Sequence, residues 1–289
     1  MTRLSPQAIV SRRPWEAWML ADIVVHVDST EAGRERTAFA LDLADRHGAR
    51  LTGVHVIPPL DVPPYYKPHA IERATENLER FQRQGAIGSE ALFAELSNGR
   101  TTPTDWRIQE GPMSACLCNA AINADLVILG QYEAEGSAHR HPLFLAEEVV
   151  LQGGRPVVVT PDAIQREDAR LDRVLIGWDG SAQATRAVHD ALPILVGSNA
   201  RVEILALAED PDVFPSDLAD HLRRYGLAVE INPQVHTRQS HGAELVQHMH
   251  GFDLLVMGGY GRPSWIDFLL GGTTPMVLTR APVPVFISH

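Results

Sequence analysis

Cysteine is nearly absent: the 289 residues hold two, Cys116 and Cys118. On a predicted helix, side chains two apart diverge by about 200°, which suits neither a disulfide nor a shared metal. So little cysteine fits a reducing compartment, and a cytoplasmic location is expected. Long apolar runs are missing as well. Stretches such as Asp125-Leu126-Val127-Ile128-Leu129 and Leu254-Leu255-Val256-Met257 fall far short of the roughly 20 residues that span a bilayer as a helix. Positive charge is scarce, with 25 Lys and Arg against 36 Asp and Glu and a net charge of -11. That balance disfavours binding to nucleic acid. The first twenty residues carry Arg3, Arg12 and Arg13 but no apolar segment or small-residue cleavage site, so they do not read as a signal peptide. What is present is ordinary for a globular chain: 45% hydrophobic and 21% charged residues, which excludes disorder for the bulk.

An internal repeat organises the chain. Asp22-Ile23-Val24-Val25-His26-Val27-Asp28-Ser29 is echoed by Arg173-Val174-Leu175-Ile176-Gly177-Trp178-Asp179-Gly180-Ser181. Each is a β-branched run that ends in Asp and a helix opener. Ala-rich amphipathic stretches follow, Thr37 to His47 and Ala182 to Leu195, then second strands, Arg50 to Ile57 and Arg201 to Ala208. Third strands are predicted at Trp106 to Glu110 and Val229 to His236. Asn123-Ala124-Asp125-Leu126-Val127-Ile128-Leu129-Gly130 answers Gly251-Phe252-Asp253-Leu254-Leu255-Val256-Met257-Gly258, and Arg155-Pro156-Val157-Val158-Val159 answers Ala281-Pro282-Val283-Pro284-Val285.

Continuous apolar strands alternating with helices imply parallel sheets covered on both faces. Two α/β domains follow, over residues 20–165 and 170–289, joined through the polar stretch Thr160 to Asp172, which holds six charged residues. The last strands, Pro156 to Thr160 and Val283 to Ser288, are natural edges for pairing.

In such sheets ligands bind beyond the carboxyl ends of the strands, where strand order reverses. The segments to weigh in the second half are therefore Asp179 to Ser181, Leu207 to Glu209, and the glycine-rich run that begins at Gly258. That run has glycines at 258, 261, 271 and 272, then Thr273 and Thr274 at a helix start. Glycines admit an anion close to backbone N–H groups, and a helix N-terminus adds its dipole. Either threonine is a candidate cap and phosphate ligand. The spacing is neither a Walker A loop nor a dinucleotide fingerprint. In the first half, Gln131 to Pro142 has no second glycine at that spacing, and Glu133 and Glu135 repel a triphosphate.

These residues together resemble the universal stress proteins in their tandem, UspA-like form: the strand-Asp opening, Asp-Leu-Leu-Val-Met-Gly, the G-x2-G-x9-G loop and the Ala-Pro-Val-Pro-Val strand. The resemblance implies, per domain, a five-stranded parallel open sheet with helices on both faces, of the adenine-nucleotide alpha-hydrolase-like kind. It implies ATP binding, with or without Mg2+, in the second domain, and a regulatory role in stress tolerance without a dedicated reaction. Carried onto this chain, the ligand residues are Asp179, Gly180, Ser181, Leu207, Gly258, Gly261, Arg262, Gly271, Gly272, Thr273 and Thr274. One departure stands out, since the family motif normally has Ser or Thr directly after its third glycine, where this chain has Gly272. The expected partners are an adenine nucleotide and a protein not identified by the sequence. The resemblance implies that Pro156 to Thr160 and Val283 to Ser288 pair with each other, so the two domains are expected to form an intrachain pseudo-dimer, with homodimerisation of whole chains left open. The alternatives are a nucleotide-independent scaffold and a weak ATPase or autophosphorylating protein.

The remaining chemistry-bearing residues have plainer readings. Trp265, Phe268 and Leu269 read as loop anchors or a partner surface. His139, His141, His236, His241, His248 and His250 read as solvated, since no Cys or carboxylate completes a metal set. Glu209, Asp210 and Asp212 read as an acidic loop, Asp28 as a turn residue before a helix, and Ser181 as a helix cap.

Overall fold

The computed structural model describes residues 19–59, 68–131, 143–164, 171–196, 198, 200–207, 215–232, 241–260 and 272–289. The first half runs β1 (Asp22–His26), α1 (Glu31–His47), β2 (Arg50–Ile57), α2 (Pro68–Ser97), β3 (Thr104–Glu110), α3 (Met113–Ala121), β4 (Leu126–Gly130), α4 (Leu143–Gly153) and β5 (Val157–Thr160). The second runs β6 (Arg173–Trp178), α5 (Ala182–Leu195), β7 (Arg201–Ala206), α6 (Pro215–Arg224), β8 (Ala228–Asn232), α7 (His241–His248), β9 (Leu254–Gly258), α8 (Thr273–Arg280) and β10 (Val285–Ser288). The predicted bounds of β2 and α5 hold to the residue. Helix α1 starts earlier than its Ala-rich pattern, because Thr30 caps it by accepting from the Gly33 N–H at 2.9 Å. Of the Val229 to His236 strand, β8 covers the part up to Asn232, and the rest lies outside the described residues.

Within each half all strand pairs are parallel, and the order is β3-β2-β1-β4-β5 in the first and β10-β9-β6-β7-β8 in the second. The expected pairing of the last strands is present. β5 and β10 run antiparallel, with Val159 opposite Val285, Val158 opposite Phe286 and Val157 opposite Ile287, and the ten strands form one sheet.

That seam also continues the core. Successive strand residues point to opposite faces, so Val158 and Phe286 enter the apolar layer under α1, α2, α5 and α6, and Val157, Val159, Val285 and Ile287 enter the layer under α3, α4, α7 and α8. All six are at most 2% exposed. Both apolar layers therefore run unbroken from one half into the other.

A shared device fixes the opposite end of each sheet. Asp125 accepts from the Ala21 and Asp22 N–H groups at 2.7 and 3.0 Å. Asp253 accepts from Asp172 and Arg173, both at 2.8 Å. Each Asp precedes the fourth strand of its half and ties it to the start of the first, which accounts for the Asp in both repeat segments.

Candidate functional site

Strand order reverses between β1 and β4 in the first half and between β6 and β9 in the second. The chain leaving each pair opens a fork at their carboxyl ends.

In the second fork, Asp179 follows β6 and is exposed, and its carboxylate accepts from the Ser181 N–H at 3.0 Å. Gly180 has φ +76°, a left-handed turn that suits glycine. Ser181 is the N-cap expected of it, accepting from the Ala184 N–H at 3.1 Å. The first turn of α5 lies directly on the end of β9: a Cβ at Gly258 would run into the backbone of Gln183 and Ala184. Leu207 is buried, and its N–H donates to the Trp178 carbonyl at 2.7 Å.

The start of α8 departs from one expectation. Gly272 is its N-cap, and among the described residues no side chain caps it. Thr273 is already inside the first turn, and Thr274 is 5% exposed, its hydroxyl accepting from the Tyr260 N–H at 3.4 Å. Neither threonine caps the helix, because Thr274 is drawn inward onto Tyr260. Tyr260 is, among the described residues, the single non-glycine with positive φ, at +56°. A bulky residue held there is strained, a condition that concentrates at functional sites.

Gly261, Arg262, Gly271, Trp265, Phe268 and Leu269 lie outside the described residues, as do Glu133, Glu135, His139, His141, Glu209, Asp210, Asp212 and His236. His241 and His248 open and close α7, and the His248 ring contacts the Glu244 carbonyl rather than a metal set. Among the described residues no group of three His, Cys, Asp or Glu is placed to hold a metal. Cys116 and Cys118 sit on α3 as expected, and burial raises both thiol pKa values, away from reactivity.

Two rim residues went unread in the sequence. Arg186, exposed on α5, donates to the His289 carbonyl, and the His289 ring contacts the Gly259 carbonyl at 3.0 Å. They place a cation beside the exit of β9. Arg186 stands where α1 has Glu35, which instead accepts from the Ile164 N–H at 2.5 Å.

The first fork is built differently. Arg36, 3% exposed, donates from Nε to the His26 carbonyl at 2.8 Å and pairs with the Asp28 carboxylate. Its Nη1 lies over Gly130, the counterpart of Gly258. Asp28 also accepts from the Thr30 N–H at 3.0 Å and from the Thr30 hydroxyl. Burial raises the Asp28 pKa, but Arg36, His26 and the Thr30 hydrogen bonds outweigh it and hold the value at about 2. Burial, and then Arg36, lower His26 to about 3, so its ring is neutral. None of this cluster beyond Asp28 was picked out from the sequence. The available signal was Arg36 itself, a charge in register with the buried Ala40 and Leu43 of α1.

Fold and forks define a duplicated, doubly wound α/β protein whose two halves share one sheet. The universal stress protein family matches residues 19–169 and again 170–289, and the chain belongs to that family. A universal stress protein of Mycolicibacterium smegmatis is 26% identical over 288 residues, covering 92% of this chain and 96% of that protein. A Synechocystis universal stress protein is 26% identical over 183 residues, covering 59% of this chain and 60% of that protein. The crystal structure of a universal stress protein from Archaeoglobus fulgidus superposes with a TM-score of 0.67 at 19% identity, over 94% of this chain and 97% of that one. No helix among the described residues is long and apolar enough to cross a membrane.

Proposed function

We propose that the chain binds an adenine nucleotide, ATP in the first instance, at the fork between β6 and β9, and that occupancy regulates its contacts with a partner protein. The observation that carries this reading is the difference between the forks. Asp179 is exposed where Asp28 is locked to Arg36, and α5 presents Ala187 where α1 presents Arg36.

The described residues fit an anionic, hydroxyl-bearing ligand. Helix α8 begins at Gly272 without a side-chain cap among the described residues, and, Pro275 having no N–H, the N–H groups of Thr273 and Thr274 are the donors for phosphate oxygens. Asp179 supplies an acceptor for hydroxyl groups, the segment at Leu207 supplies main-chain groups, and Arg186 adds a positive rim. Gly261, Arg262 and Gly271 complete the set from the sequence motif. A bound nucleotide would place a charged polyphosphate beside the start of α8, which changes the surface this fork presents to a partner. No base, lysine or carboxylate set is arranged for phosphoryl transfer among the described residues, so the reading is a binding protein rather than a dedicated enzyme.

The test is thermal unfolding of nucleotide-free protein with ATP and Mg2+ added. Ligand at one hundred times Kd stabilises by about 2.7 kcal/mol, so a clear rise in midpoint is expected for the wild type and none for Asp179→Ala paired with Gly271→Glu. A wild type that does not respond to millimolar ATP sinks the proposal and favours the scaffold reading.

A further inference from the structure

The first fork has a chemistry of its own. An arginine is almost never fully buried unless paired, and the side chain of Arg36 is 4% exposed. Its guanidinium meets the His26 carbonyl through Nε and the Asp28 carboxylate through Nη2. Nη1 covers Gly130, whose missing side chain makes the room. Asp28 is held from behind by the backbone and hydroxyl of Thr30. Beyond β5, Asp162 also faces Arg36: burial raises its pKa and the guanidinium lowers it. The other titratable groups nearby are His26, kept neutral, and His55, whose Nδ1 contacts the Val27 carbonyl at 3.0 Å.

A carboxylate, a main-chain carbonyl, a second carboxylate nearby and a glycine floor match the planar, forked donors of a guanidinium. They are the wrong sign for a phosphate. Arg36 and Ala187 are each the sixth residue after their helix's N-cap, Thr30 and Ser181, so the buried cation comes from one residue type at one position of the repeat.

We propose that the first fork is a guanidinium site whose standing occupant is the chain's own Arg36, which closes this half to nucleotide and leaves one nucleotide fork per chain. The proposal deepens the nucleotide reading by fixing its stoichiometry, and rests on that reading for the second fork alone.

The experiment is chemical rescue. Arg36→Ala removes the side chain, and N-ethylguanidinium replaces its missing atoms. The variant is expected to unfold several degrees below the wild type, and millimolar N-ethylguanidinium is expected to raise its midpoint by about 2 °C at ten times Kd and further with the logarithm of its concentration. The wild type and the Asp28→Asn, Arg36→Ala double variant should gain nothing, nor should equimolar tetramethylammonium raise any of them. Absence of rescue, or equal rescue of the double variant, overturns the proposal. Should Arg36→Ala not accumulate in folded form, native mass spectrometry of the wild type with ATP decides, since two nucleotides per chain contradict a closed first fork and one supports it. Rescue with no ATP bound by the wild type would leave the guanidinium site standing and remove the nucleotide reading instead.

Discussion

Arg36 on α1 and Ala187 on α5 occupy the same place in two halves that are otherwise built alike. The halves share strand order, hydroxyl-capped helices at Thr30 and Ser181, an aspartate clamp at Asp125 and Asp253, and one glycine at the end of the fourth strand. What differs is the filling of the fork. In the first, a buried ion pair occupies the strand ends; in the second, among the described residues, Ala187 stands in place of the arginine and Asp179 is exposed. The repeat has kept its frame while the surroundings of one aspartate have changed. Asp28 is paired with Arg36, whereas Asp179 is exposed and accepts from the Ser181 N–H.

The largest expected contrast comes from making one change in both halves. Asp28→Asn leaves the Arg36 guanidinium buried without its carboxylate and should cost about 3–5 kcal/mol, measured by urea unfolding. Asp179→Asn, at an exposed position, should stay within about 0.5 kcal/mol while weakening the response to ATP. Equal costs at the two positions would break the comparison.

Acid sharpens it. The His26 pKa is about 3 in the folded chain and near 6.5 when unfolded, so the unfolded state takes up the proton first and stability falls as pH drops below 6.5. Between pH 7.5 and 5 this should remove roughly 2 kcal/mol. His47, lowered to about 4 mainly by burial and then by Arg46, adds a loss of similar sign and size. Asp28 does not contribute in this window, because its stabilisation is lost only below its usual range, as pH falls toward 2. Both histidines belong to the first half, so hydrogen exchange at pH 5 should show β1, α1 and β2 opening before β6, α5 and β7. Simultaneous loss of protection in both halves would count against the assignment.

The smallest contrast is between the helix caps. Thr30→Ala and Ser181→Ala each remove one N-cap acceptor, worth about 1 kcal/mol. Thr30→Ala should cost more, because it also strips Asp28 of its hydroxyl donor, and a thermal melt of the two variants reads the order directly.

Much of this frame was legible in the sequence. The repeated strand-Asp openings, the Ala-rich stretches and the closing Val runs carried the succession of strands and helices, because apolar periodicity is a local signal, and the family resemblance carried the pairing of Pro156–Thr160 with Val283–Ser288; the strand order came from the structure. The early start of α1 was missed since Glu31 to Arg36 is polar and the cap at Thr30 has to be seen from its bond to Gly33. The closed fork was missed because Arg36 joins residues brought together only by the sheet: His26 and Asp28 at the end of β1, and Gly130 at the end of β4. From sequence the first half was set aside for its missing glycines and its Glu133 and Glu135, whereas the described residues add a separate reason, an internal cation. Thr274 was mistaken for a helix cap because composition does not reveal that its hydroxyl turns inward to Tyr260. Arg186 and His289 were passed over because a cation on an exposed helix face and a terminal residue carry no motif.

One open fork and one filled by Arg36 mean one nucleotide per chain. Native mass spectrometry of nucleotide-free protein titrated with ATP, with Gly271→Glu alongside, counts it. A single saturating nucleotide per chain is expected, lost in Gly271→Glu while its circular dichroism is unchanged. Two nucleotides per chain, or one that persists in Gly271→Glu, would contradict it.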